Sequence, residues 1–272
     1  MTTDEDSTPH WNRWAAAGTS EEERRLGLME RAYDGVTLRQ LERIGVGPGW
    51  RCLEVGAGRG SIAAWLAGRA GAAGVLATEL HPELLDAVRK LGVRVLRHDV
   101  TTDPAPGGGF DLVHARFVLE HLPAREEVLR RLAGWLTPGG WLLVEAMTCD
   151  PSVSPSPAVA RVEQALMALV RPSVGTDLDW ARGMPLPLER AGLTEASAEV
   201  ASPVMRGGGP VAGFLATTME AARAGLIAAG LVTEADLDEV ARLCADPSFV
   251  DCSFLMVAGR ARRPGPATLS TT

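Results

Sequence analysis

Three glycines at alternate positions, Gly56, Gly58 and Gly60, follow the apolar run Cys52–Val55 and its single acid, Glu54, in the stretch CLEVGAGRGS. A glycine-rich turn directly after a strand bends tightly and lets the backbone approach a ligand that a Cβ would exclude. The helix that follows aims its free amide groups at the same place. A dinucleotide cradle spaces its glycines as G-x-G-x-x-G, but position 61 here is Ser61. Two later acids stand where a nucleotide-like cofactor needs them. Glu79 comes about twenty residues past the glycines, where an acid can hold both ribose hydroxyls. Asp99 ends the next apolar run; its carboxylate can accept from an exocyclic amine such as adenine N6, while the Val100 amide donates to the ring. Four further residues could move a proton: His114, His121, Glu120 and Glu145.

The elements that must position these residues alternate along the chain. Strands are expected over 51–55, 75–79, 93–97, 110–114 and 141–147. Helices are expected over 61–69, 82–91 and 126–135, the second opening on Pro82. Such alternation builds a doubly wound parallel sheet with right-handed crossovers, whose ligands bind outside the carboxyl ends of the strands. Residues 20–45 read as helical, with a capping box from Ser20 to Glu23. After position 150 the pattern changes. Helices are expected over 158–170, 186–191, 211–226 and 234–244, with strands over 196–204 and 252–260. No helix directly precedes the last strand, so it is expected to close the sheet antiparallel. The organisation read from this is an N-terminal helical lid (1–45), a nucleotide-binding core (46–150), a helical insertion over the pocket (151–195), a C-terminal part of the core with its own helical insert (196–263) and a disordered tail (264–272).

Bulk properties narrow the class. A net charge of −7 over 272 residues argues against a nucleic-acid partner. The four cysteines, Cys52, Cys149, Cys244 and Cys252, form no C-x-x-C pair, so neither a zinc site nor a disulfide framework is expected. Cys52 and Cys252 read as small core residues. The polar N-terminus MTTDEDSTPH is unlike a signal peptide, and no apolar run is expected to span a membrane. A cytoplasmic protein, monomer or homodimer, is the expectation.

Taken together, LEVGAGRGS (53–61), ATELHPELLDAV (77–88), RHDVTTDP (97–104), FDLVHARFVLEHLP (110–123) and LTPGGWLLVE (136–145) resemble the class I, Rossmann-like methyltransferases that use S-adenosyl-L-methionine. The resemblance runs from about Tyr33 to Met147. It implies a mostly parallel seven-stranded sheet with an antiparallel last strand, plus a helical lid. It also implies roles for individual residues. Glu54 and the backbone of Gly56, Ala57 and Gly58 would lie under the methionine moiety, with Tyr33 close by. Glu79 would grip the ribose, Leu80 would pack on the adenine, and Asp99 and Val100 would read its edge. The backbone of His114 and Ala115 would approach the amino group. Arg116 would meet the carboxylate or the substrate.

Methyl transfer is an in-line displacement at carbon, so the protein's task is alignment and exclusion of water. A base is optional, with His114 and His121 as candidates. No metal is expected. HARF at 114–117 stands where nucleic-acid amino-methyltransferases carry an Asn/Asp-Pro-Pro-aromatic motif, which favours a small-molecule acceptor. Trp11, Trp14, Phe117, Met147 and Trp180 are expected to wall an apolar or aromatic substrate. The likeness is greatest to small-molecule enzymes of bacterial specialised metabolism. The alternatives are an NAD(P)-dependent oxidoreductase, which Ser61 and Asp99 disfavour, and a non-catalytic module that binds the same cofactor.

Overall fold

The computed structural model describes residues 19–265. Its strands are β1 (Cys52–Val55), β2 (Val75–Glu79), β3 (Arg94–Arg97), β4 (Phe110–Arg116), β5 (Leu136–Cys149), β6 (Thr194–Ala201), β7 (Met205–Arg206), β8 (Val250–Asp251) and β9 (Phe254–Arg262). Seven of them form one sheet in the order β3-β2-β1-β4-β5-β9-β6, while β7 and β8 pair with each other. Neighbouring strands from β3 through β5 are parallel. β9 is antiparallel to both β5 and β6, the closing geometry expected from the chain. The helices are α1 (Ser20–Ile44), α2 (Ser61–Ala70), α3 (Asp86–Arg89), α4 (Arg125–Trp135), α5 (Pro157–Val174), α6 (Leu186–Arg190), α7 (Pro210–Ala228) and α8 (Glu234–Ala245).

Successive strand residues point to opposite faces, and both faces are covered. Leu41, Leu66 and Leu85 pack with Cys52 and Leu112 on one side. Leu129, Leu132 and Leu188 pack with Leu53 and Val113 on the other. A third cluster, which includes Val162, Leu215 and Leu237, ties α5, α7 and α8 together. From β1 the chain runs outward through β2 to β3 and returns to β4 on the opposite side of β1. That reversal opens a crevice at the carboxyl ends of β1 and β4.

Several local expectations are corrected. The α1 cap is Thr19, whose hydroxyl accepts from the Glu22 amide, in place of a Ser20 capping box. The helix expected over 82–91 is a 3-10 turn, Pro82–Leu85, followed by one α turn at α3. TPGG (137–140) lies inside β5, which begins at Leu136 and carries a register shift against β4. Cys252 is exposed. α7 is long and apolar enough to cross a membrane by length and composition, a run the sequence reading passed over. Seven of its side chains, Phe214 and Leu215 among them, are buried in the protein.

Candidate active site

The sheet's carboxyl ends open into a cavity of about 370 Å³. Gly56 and Gly58 after β1, Glu79 and Leu80 at the end of β2, and Asp99 and Val100 after β3 line one part of it. These are the residues expected at the nucleoside end. The Gly58 and Leu80 amides donate to the two oxygens of Glu79, each at 2.8 Å. Two backbone donors hold this carboxylate at the cavity wall while each oxygen keeps lone pairs to spare. Gly58 has φ +55°, and a Cβ there would meet nothing within 4 Å; the loop leaves open the space a side chain would fill. Gly60, at φ +88°, has the opposite reason to be glycine, since a Cβ would collide with Val88. The amide and hydroxyl of Thr101 donate to Asp99 Oδ1 at 2.8 and 2.5 Å. Burial alone would raise the Asp99 carboxyl, but the Thr101 donors outweigh it and hold the group below the usual carboxylate range.

Tyr33, Glu54, Ala57, His114 and Ala115 do not line this cavity. β4 runs two residues beyond its expected end at His114, so the wall begins at Arg116 and Phe117. His114 is fully buried inside the sheet. Its Nδ1 lies 2.7 Å from Glu54 Oε2 and its Nε2 lies 3.1 Å from Glu145 Oε2. Burial opposes its charge, but the two carboxylates win and raise the imidazole to about 9. An imidazolium donating from both nitrogens is locked in place and cannot serve as the cleft base expected of it. The network continues to α1: the Thr37 hydroxyl donates to Glu145 Oε2 at 2.6 Å, and Arg116 donates to Thr37 and Asp34, each at 2.9 Å. Arg116 thus lines the cavity with its guanidinium already tied to α1. Glu145 is closed off with His114 as a base.

Residues 53–144 match the methyltransferase domain family. That stretch runs from β1 into β5 and marks a methyltransferase domain within the chain. The match to methyltransferase str2 of Strobilurus tenacellus is 31% identical over 151 residues, 54% of either chain. The chain therefore spans about half the length of the curated relatives it matches. Among solved structures, phosphoethanolamine N-methyltransferase 2 of Haemonchus contortus, held with phosphomonomethylethanolamine and S-adenosylhomocysteine, superposes with a TM-score of 0.59 at 15% identity. That likeness covers 94% of this chain and 60% of the other. The [4+2]-cyclase SpnF superposes at 0.55 with 20% identity, covering 85% and 82%. At such identities the likeness is one of fold.

The rest of the cavity wall comes from α1, α5, α7, the ends of β5 and β9, and the loops after β4 and α5. Phe117 and Met147, expected there, line it. Phe117 holds φ +57°, a strained conformation for an aromatic residue, and its ring stands edge-on to Tyr33 at 5.0 Å. Trp11 and Trp14 lie outside the described residues. Trp180 is not in the wall. Its indole donates to Glu126 on α4 at 2.8 Å, and it packs at the edge of the core. His121 does line the cavity, with Nδ1 3.0 Å from the Thr176 hydroxyl. Burial, with Arg25 and Arg125 nearby, lowers it to about 4; it is a neutral and weak base at pH 7. Among the described residues no group of three His, Cys, Asp or Glu converges as metal ligands.

Reasoning from sequence missed the features that most distinguish this wall. Glu163 on α5, Thr218 and Phe214 on α7, and Arg25 on α1 all line it. Glu163 had a readable signal, since it shares a helical stripe with Val159, Leu166 and Met167. An acid on an apolar stripe is either misplaced or used. α7 had none, because its apolar residues do not say which neighbour each of them faces.

Proposed function

We propose that the protein transfers a methyl group from S-adenosylmethionine to a small-molecule acceptor. The observation that carries this reading is the Glu79 carboxylate, fixed by two backbone amides at the end of β2 and facing the same cavity as Gly58, Asp99 and Val100. Glu79 holds the ribose hydroxyls, the ionised Asp99 accepts from the adenine amine, and the open loop at Gly58 admits the backbone-close part of the cofactor. The cofactor supplies a methyl group already activated on a sulfonium. The protein aligns it with the acceptor and keeps water out. The acids along the wall suit a cation.

The curated relatives it matches in part, methyltransferases of Strobilurus tenacellus among them, agree with this reading; they do not identify the acceptor. The second reading is a site that binds the same cofactor without turnover. Calorimetry separates these from an oxidoreductase: S-adenosylhomocysteine binds, and NAD⁺ and NADP⁺ do not. Glu79→Ala is expected to weaken S-adenosylhomocysteine by about 100-fold, the worth of a charge-assisted pair of hydrogen bonds. An unchanged affinity would remove Glu79 from the site. Mass-spectrometric loss of S-adenosylmethionine in the presence of an acceptor library tests turnover itself.

A further inference from the structure

Among the cavity-lining residues outside the glycine loop and the ends of β2 and β3, three carry a buried oxygen with no hydrogen-bond partner: Glu120 Oε2, Glu163 Oε2 and Thr218 Oγ1. A bare polar atom in such a wall costs free energy unless something fills it. Glu163 is the most deliberately built of the three. The residue is 1% exposed, and its Oε1 accepts from the Ser253 hydroxyl at 2.5 Å. Ser253 is fixed in turn, its amide donating to Asp251 Oδ1 at 2.7 Å. The brace holds the carboxyl by one oxygen and leaves the second without a partner in the cavity wall. Phe117, Phe214 and Phe254 also line the cavity.

Resting on the methyl-transfer reading, we propose that the acceptor is an aromatic molecule bearing a hydroxyl, and that Glu163 Oε2 receives the proton of that hydroxyl as its oxygen is methylated. The O–H bond breaks and its proton joins Glu163. A new O–CH₃ bond forms with the electron pair left on oxygen. The carbon–sulfur bond breaks with its pair going to sulfur, so the sulfonium charge is cancelled and no other reactant is needed. Arg25 and Arg116 line the same cavity, each already paired with an acid, Glu22 and Asp34 respectively. Burial raises the Glu163 carboxyl to about 7 despite the Ser253 donor, which matches a base to a phenol of pKa near 10 far better than to an aliphatic alcohol.

The test is calorimetry on the full chain. S-Adenosylhomocysteine is first titrated into the wild type and Glu163→Gln. 2-Naphthol, 2-methoxynaphthalene and 2-naphthylmethylamine are then titrated into each protein saturated with it. The proposal expects equal S-adenosylhomocysteine affinity in both proteins. It expects 2-naphthol to bind the wild type at least about tenfold tighter than its methyl ether, the worth of one hydrogen bond to a charged group. In Glu163→Gln the amide NH₂ replaces the accepting oxygen, and that preference collapses to about twofold or less. Equal affinities in the wild type, a preference that survives in Glu163→Gln, tighter binding of the amine, or no binding of any naphthalene overturns the proposal. Failure of S-adenosylhomocysteine to bind the wild type instead removes the methyl-transfer reading beneath it.

Discussion

Two sets of buried carboxyls lie in this protein, and their hydrogen bonding separates them. Glu54 and Glu145 flank the imidazole of His114 inside the sheet, and the Thr37 hydroxyl and Arg116 extend their network to α1. Glu120 and Glu163 are as deeply buried, yet each has one oxygen held, by the Met147 amide and the Ser253 hydroxyl respectively, and one without a partner. Glu145 also leaves an oxygen bare, but its other oxygen takes two donors, one of them charged. A charged partner makes the first set a fastening between α1, β1, β4 and β5. Its absence leaves each acid of the second set with one oxygen unpartnered in the cavity wall. Burial alone would have grouped all four acids together.

The largest effect is expected from removing the charged partner. His114→Leu strands two carboxylates in the sheet and is expected to cost about 3–5 kcal/mol, on the order of 10 °C in Tm for a domain this large. A melting point within a degree or two of the wild type would break the contrast outright. The pH dependence sharpens it. With the His114 imidazole raised to about 9 from an unfolded value near 6.5, the native state holds the extra proton. Its contribution is complete below pH 6.5 and is lost as pH rises through 9. Urea midpoints of wild type and His114→Leu should therefore converge across that interval.

The second set acts in a lower window. Burial raises Glu120 and Glu163 to about 7 from an unfolded value near 4.5, so the native state again binds more protons between those limits. Stability falls as pH rises from 4.5 through 7 and then levels. Glu163→Gln removes one of the two groups. At pH 8 it is expected to gain about 1 kcal/mol, because an uncharged amide replaces an unpaired buried charge. At pH 4.5 it is expected to gain nothing. A Glu163→Gln protein less stable than wild type at pH 8 would show that the carboxylate is already paired and that the cavity wall is ordinary structure.

The contrast also explains what could be read from the sequence. The sheet, its antiparallel closure and the meeting of Gly58, Glu79 and Asp99 at one cavity were legible because each rests on local signals: apolar runs, a glycine turn, and an acid at each strand end. His114 was misjudged because the end of β4 moved by two residues, which turns a cleft residue into a core one. Its partnership was implicit in the topology. Glu54 and His114 are direct neighbours in the β1–β4 register, and two titratable residues side by side in the middle strands of a sheet must pair. The acceptor end was not legible, since Glu163, Thr218 and Phe214 come from helices after position 150. Their meeting depends on how α5 and α7 pack, and an apolar stripe does not say which neighbour it faces.

The smallest effect tests the brace on Glu163. The Ser253 hydroxyl donates to Oε1 and lowers the carboxyl against the pull of burial, so it stabilises the charged form. Ser253→Ala removes that donor but leaves the cavity lining and the bare Oε2 in place. The Glu163 carboxyl is expected to titrate about one unit higher, the low end of what one hydrogen bond to a charged group is worth. Carbon-detected NMR of the glutamate carboxyls reads this directly, with Glu163→Gln assigning the resonance. The same upward move should appear in the pH at which 2-naphthol binding to the S-adenosylhomocysteine complex reaches half its maximum. The His114 window near pH 9 should stay where it is, because Ser253 touches none of that network. A shift in both windows would mean that the two sets of acids communicate and that hydrogen bonding does not separate them.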